Sequence, residues 1–262
     1  MRKTIRLSPL EAIAAGAILV TATIVIASGV VRNGYEPFVL AREPLKQELR
    51  ARYGPEQFSQ FGEEWIIRDF FQDRRGGVFL DVGSSHYKDF NNTYYLETVL
   101  GWSGVAVDAI QEFAKEYAEH RPKTKFVAMF ASDVANSSVE FFVPERGHQV
   151  SSSNPDFTNR YVSEAKAREV PTTTLNALLD QAGIQKVDFL SMDIELAEPK
   201  ALAGFDIERF RPDLVCIEAH PEVRQQILDY FDVHGYVLVG KYLRLDPHNL
   251  YFKPSHARGS VP

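Results

Sequence analysis

Residues 77–87 read GVFLDVGSSHY. Val78, Phe79, Leu80 and Val82 are apolar toward both faces of an extended chain, as in a parallel strand buried between helices. Asp81 stands near the end of the run and Gly83 follows where the chain must turn. The pattern recurs along the sequence. Residues 104–108 (GVAVD), 125–130 (KFVAMF), 187–193 (VDFLSMD), 213–217 (DLVCI) and 236–239 (YVLV) are short apolar runs, separated by helix-like stretches such as QEFAKEYAEH at 111–120. This alternation predicts an α/β domain with a doubly wound, mostly parallel sheet. Residues 137–143 (SSVEFFV) break the rhythm and read as an extra strand, with loop 144–155 standing off the core. Residues 249–252 (NLYF) read as a final strand, an antiparallel partner at the sheet edge.

The chain has 262 residues, of which 45% are hydrophobic and 24% charged, enough for one sizeable core and an appendage. Its net charge of -6 offers no general attraction to a polyphosphate, so no nucleic-acid partner is expected. The single cysteine, Cys216, lies in an apolar run and reads as a buried thiol.

Before the domain, residues 12–31 (AIAAGAILVTATIVIASGVV) carry no charge, and 20 residues at about 1.5 Å rise match a bilayer core of roughly 30 Å. They are expected to form one transmembrane anchor after a short basic start at 1–11, a cleaved signal peptide being the rival reading. Arg2, Lys3 and Arg6 precede it, while Arg32, Arg42, Lys46, Arg50 and Arg52 follow, a slight bias toward a cytoplasmic C-terminal side. Residues 32–55 read as a linker with a short helix at 44–53, 56–254 as the globular domain and 255–262 as a disordered tail.

Open parallel sheets bind ligands at the carboxyl ends of their strands, and here those ends are acidic. Asp81, Asp108, Asp133, Asp193 and Glu218 each close or follow a strand, with His220 just beyond the last. The turn after the first strand holds one glycine where a dinucleotide fingerprint needs three, which disfavours NAD or FAD and hence an oxidoreductase. A ligand with an ammonium group and a ribose but no phosphate suits the acids better, and S-adenosylmethionine is such a ligand. Asp81 would face its ammonium, Gly83 let the chain pass the methionine part, Asp108 accept the ribose hydroxyls and Asp133 accept from the adenine amine. Each acid also has a plain structural reading, as a turn cap, a helix N-cap or a solvated loop carboxylate.

Three blocks carry a family resemblance: FLDVGSSHYKDFNNTYYLETVLGWSGVAVDA at 79–109, VPTTTLNALLDQAGIQKVDFLSMDIELAEPKALAGFD at 170–206, and LVCIEAHPEV at 214–223. In length and order they resemble the FkbM-type S-adenosylmethionine-dependent methyltransferases, over about residues 60 to 240. The resemblance implies a Rossmann-like fold of the class I methyltransferase type, a cofactor at Asp81, Gly83 and Asp108, and an acceptor near Asp193, Glu195 and Glu218. Asn92 and Thr93 match the family's asparagine–threonine pair, although an asparagine there also caps a helix. Two departures stand out. The family commonly carries a second glycine in the first loop and a glycine after the fourth-strand acid pair, where this chain has His86-Tyr87 and Leu196.

Methyl transfer from a sulfonium needs an aligned acceptor and a group to take its proton. Asp193, Glu195 and His220 are the catalytic candidates, with the two acids on one face if their strand runs on through Glu195 and His220 as a general base poised by a carboxylate. No metal ligand is assigned, and Mg²⁺ or Mn²⁺ held by the same acids is the lesser reading. The expectation is therefore a membrane-anchored O-methyltransferase acting on a sugar, glycolipid-like or other small-molecule hydroxyl, its domain cytoplasmic because the donor is made there. The alternative is a tethered binding domain that keeps the fold without turnover.

Overall fold

The computed structural model describes residues 36–255. The chain divides into two compact units, residues 1–48 and 49–262. Of the first, only residues 36–48 are described, as part of helix α1 (Glu36–Tyr53). The helix expected at 44–53 thus starts earlier, at Glu36, with Pro44 inside it. The anchor at 12–31, the basic start at 1–11 and the tail beyond Ser255 lie outside the described residues. Among the described residues, no helix is long and apolar enough to cross a membrane.

The second unit continues with α2 (Glu63–Phe71), β1 (Val78–Val82), α3 (Tyr94–Thr98), β2 (Ser103–Asp108), α4 (Ala114–His120), β3 (Thr124–Ala128), β4 (Phe130–Ala131) and β5 (Ser138–Pro144). Then come α5 (Pro155–Thr158), β6 (Ala165–Thr173), α6 (Leu175–Gln181), β7 (Phe189–Met192), α7 (Glu198–Ala203), α8 (Ile207–Phe210), β8 (Leu214–Glu218), α9 (Arg224–Val233), β9 (Tyr236–Leu238) and β10 (Asn249–Pro254). A seven-stranded sheet has the order β3-β2-β1-β7-β8-β10-β9. Strands β1, β2, β3, β7 and β8 pair in parallel and β10 runs antiparallel to both neighbours. The order reverses between β1 and β7, the switch point where a crevice opens beyond the strand ends.

The central strands are apolar because both faces are covered. Phe79, Leu80, Val105, Val107, Phe189, Leu190, Val215 and Ile217 are essentially sealed from solvent. Burying each contributes about 1.5–3 kcal/mol, which holds the strand tips at fixed spacing.

Four expectations change. Strand β10 is antiparallel as read, but it lies between β8 and β9, so β9 forms the edge. The run 125–130 is broken at Met129 into β3 and β4. The extra strand is β5, and its antiparallel partner β6 was missed, because Lys166, Arg168 and Glu169 are exposed and leave little apolar pattern. These strands and β4 form a second, three-stranded sheet. Loop 144–155 does not stand off the core: the backbone of Ser152 pairs with Phe142, and its hydroxyl donates to the Glu195 carbonyl at 2.7 Å.

Candidate active site

A cavity of about 290 Å³ opens at the tips of β1, β2, β7 and β8, beneath the second sheet. Its two ends differ in chemistry. One is an apolar slot of Ile110, Phe113, Met129, Phe130 and Phe141, and the other presents Asp193, Glu195, Glu218 and His220. Among the described residues, no lysine or arginine lines it. Such a wall repels phosphates and tolerates a cation.

The turn after β1 is set by Gly83. Its φ of +79° is a left-handed conformation, and a Cβ there would run into the Asp193 carbonyl. Asp193 in turn donates its N–H to the Val82 carbonyl at 2.9 Å, locking the two strand ends together. Asp108, the last residue of β2, accepts N–H bonds from Ser85 and Ile110, both at 2.8 Å. One bond reaches each of its oxygens, so further lone pairs remain for a ligand in the cavity it lines. Burial pushes its carboxyl up to about 6, although the two N–H groups pull it back down.

Three of the expected cofactor residues do not meet the cavity. Asp81 lies one position before the strand tip, buried, accepting from the Thr93 hydroxyl at 2.7 Å and from Asn91 at 3.5 Å. It organises the loop and is not among the residues that line the cavity. Asn92 donates to the Ser191 hydroxyl at 3.0 Å, tying the loop to β7. Asp133 is exposed and accepts from Ser132, because β4 has already turned away into the second sheet. Asn91, which the sequence left unread, is the hub of the loop: its amide donates to the Ser84 and His86 carbonyls and to Asp81.

The acidic end is crowded. Asp193 opens onto the cavity yet is ringed by protein, and burial, then the charge of Glu218, push its carboxyl well above the usual range. Burial likewise lifts Glu195 to about 7 and raises Glu218. His220 Nε2 lies 3.1 Å from Glu195 and 3.0 Å from Glu218. Its hydrogen bond to Glu195 and the Glu218 carboxylate beside it push the imidazole up to about 11. At neutral pH this ring is a cation clamped between carboxylates, so the general-base role expected of His220 does not fit.

Nor do Asp193 and Glu195 share a face by strand alternation. Strand β7 ends at Met192, and Glu195 and Leu196 turn through φ of +53° and +78°. Leu196 thus adopts the glycine-like conformation at the place where the resemblance calls for glycine. Ser151, in the loop expected to stand off the core, is buried against the cavity with a hydroxyl that has no partner.

The strand order, the switch-point cavity and an acid with lone pairs to spare at the tip of β2 define an α/β fold of the methyltransferase class. A profile of the methyltransferase FkbM domain matches residues 81–238, more than half of the chain, and the chain belongs to that family. No curated protein matches it. Solved structures with similar architecture include a TehB-like SAM-dependent methyltransferase from Corynebacterium glutamicum, 14% identical with a TM-score of 0.43, the match covering 83% of this chain and 99% of that one. A second is the 1,6-didemethyltoxoflavin-N1-methyltransferase of Burkholderia thailandensis with S-adenosylhomocysteine bound, at 12% identity and a TM-score of 0.37, covering 97% and 94%. A third, described as an RNA methyltransferase from Pyrococcus horikoshii, is 16% identical with a TM-score of 0.38, covering 75% and 81%.

The cavity fits S-adenosylmethionine, the cofactor of this class. Asp108 has lone pairs left for ribose hydroxyls, the apolar slot suits a flat base, and the acidic wall without lysine or arginine suits a sulfonium and an ammonium.

Proposed function

We propose that this protein transfers a methyl group from S-adenosylmethionine to a hydroxyl of a sugar or glycolipid-like acceptor at a membrane surface. The observation that carries the reading is a single cavity joining Asp108, at the nucleoside end, to the acid pair Asp193 and Glu218. When bound, the cofactor supplies an electrophilic methyl on a sulfonium whose departure needs no proton. The chain's own residues have the remaining tasks.

Asp108 holds the ribose, and Gly83 brings the first loop close enough for Ser85 to hold Asp108 in turn. Asp193 and Glu218 repel each other, so the pair retains one proton more readily than ordinary carboxylates, and its remaining carboxylate accepts the proton that the acceptor hydroxyl loses as its oxygen bonds to the methyl. Glu195 and the His220 cation fix the orientation of Glu218. At the mouth, Phe90 and Tyr161 are 53% and 57% exposed although aromatic, which supports an acceptor with an apolar ring face such as a sugar.

Calorimetric titration with S-adenosylhomocysteine, followed by transfer of labelled methyl to a glycan and glycolipid panel, tests this. Binding with label on a hydroxyl is expected, and preferential binding of NAD would refute it. We also propose that residues 12–31 tether the domain to the cytoplasmic face. Digestion of residues 56–254 by a protease added outside intact cells would refute that placement.

A further inference from the structure

Glu198 is the first residue of α7 and is 0% exposed. Its Oε1 accepts the Ile194 N–H at 3.0 Å, while Oε2 has no hydrogen-bond partner. A sealed carboxylate oxygen without a donor is costly, and Glu218 Oε2 is likewise buried without a hydrogen-bond partner. His220 does not relieve it, its Nε2 lying between Glu195 and Glu218 at 3.1 and 3.0 Å. Glu198 does not stand alone: one oxygen each from Asp193, Glu198 and Glu218 lie within 4.8 Å of one another.

Oxygens around a cation with bonds of about 2.1–2.4 Å are roughly 3 Å apart when adjacent and about 4.2–4.8 Å apart when opposite, so the three carboxylates span a coordination sphere. We propose that Asp193, Glu198 and Glu218 bind one hard divalent cation, of the Mg²⁺, Mn²⁺ or Ca²⁺ class, at the acceptor end of the cavity. An all-oxygen donor set without thiolate excludes a soft-metal site. Asp193 and Glu218 line the cavity and Glu198 lies behind them, so the open coordination positions face the acceptor. The inference rests on the methyltransferase reading only in naming the acceptor, which becomes a hydroxyl, or a pair of neighbouring hydroxyls, able to coordinate the ion and lose a proton to the acids more easily.

The test is titration of the full chain in detergent with Mn²⁺, followed by loss of the free-ion electron paramagnetic resonance signal. One Mn²⁺ per chain, displaced by Mg²⁺ or Ca²⁺, is expected, and Glu198→Gln should weaken it roughly tenfold or more. Melting in EDTA serves as the fold control, since Glu198→Gln removes an unsatisfied buried charge and should not lower the midpoint. Should that variant fail to fold, Asp193→Asn, open to the cavity, gives the same readout. Absence of a bound ion in the wild type, or equal Mn²⁺ affinity in these variants, overturns the proposal. Titration with S-adenosylhomocysteine in EDTA separates the two readings. Binding there with no Mn²⁺ uptake removes the cation site and leaves the donor site standing. Mn²⁺ uptake lost in the variants, with no nucleoside binding, upholds the cation site and removes the donor reading.

Discussion

Replacing Arg121 should damage stability and donor binding together, through one set of contacts. The side chain is sealed from solvent and every one of its five N–H groups is used. Nε donates to Glu97 at 2.6 Å, Nη1 to the Tyr87 carbonyl and Asn91 at 2.8 and 3.2 Å, and Nη2 to the Thr93 and Thr124 hydroxyls at 3.1 and 3.2 Å. Arg121→Met keeps much of the volume but leaves Glu97 buried without a counter-charge. Breaking such a pair from one side costs about 3–5 kcal/mol, a large fraction of a stability of roughly 5–15 kcal/mol. Adding Glu97→Gln removes the stranded charge, so the double variant should be more stable than Arg121→Met alone. Lysine should not rescue, because three donors on one nitrogen cannot span Glu97, the loop and Thr124. Asn91 and Thr93, freed from the guanidinium, would hold Asp81 and Ser84 less firmly, so affinity for S-adenosylhomocysteine should fall as well. Urea denaturation and calorimetry measure both effects. A loss under about 1 kcal/mol, or a double variant worse than Arg121→Met, would refute the claim that this arginine organises the first loop.

Asp108→Asn should weaken S-adenosylhomocysteine by about 1.5–3 kcal/mol, roughly tenfold to a hundredfold, if the carboxylate makes charge-assisted ribose bonds; unchanged calorimetric affinity removes that assignment. At position 196, where φ is +78°, Leu196→Gly should be more stable to urea than Leu196→Ala by about 1 kcal/mol, reversing the usual order because only glycine relieves the left-handed strain. An ordinary order would mean that the strain is absent in solution. Burial raises the Asp81 carboxyl from 3.8 to about 6, so its protonated form is favoured by folding. The stability it contributes is complete below about pH 4 and is lost as pH rises through about 6, a change of roughly 3 kcal/mol. Asp81→Asn should therefore flatten the decline in unfolding free energy between pH 4 and 7, and parallel curves for wild type and variant would contradict the sign.

How far the sequence could be read depended on whether a residue's surroundings were set by its own strand or by another element. Runs such as 77–82 and 213–217 announced a parallel sheet because both faces of β1 and β8 are covered. Strand β6 was illegible because its outer half carries Lys166, Arg168 and Glu169 in solvent, and its pairing with β5 is decided across the twenty residues between the two strands. The site divides along the same line. Asp108 and Glu218 are the last residues of β2 and β8, and Asp193 directly follows β7, so tip position alone aims them at the cavity. Asp81 looks identical in sequence but stops one residue short of the tip of β1, and the strand's alternation turns it inward to Thr93. The His220 environment depends on Glu195 arriving through two left-handed residues, which no strand or helix period encodes. The ribose end therefore rests on the geometry of the main sheet, while the apolar slot borrows Phe130 and Phe141 from the second. The acceptor end hangs on the turn at 195–196 and on Ser152 holding the Glu195 carbonyl, so substitutions at Ser152 should alter acceptor turnover before they alter nucleoside affinity.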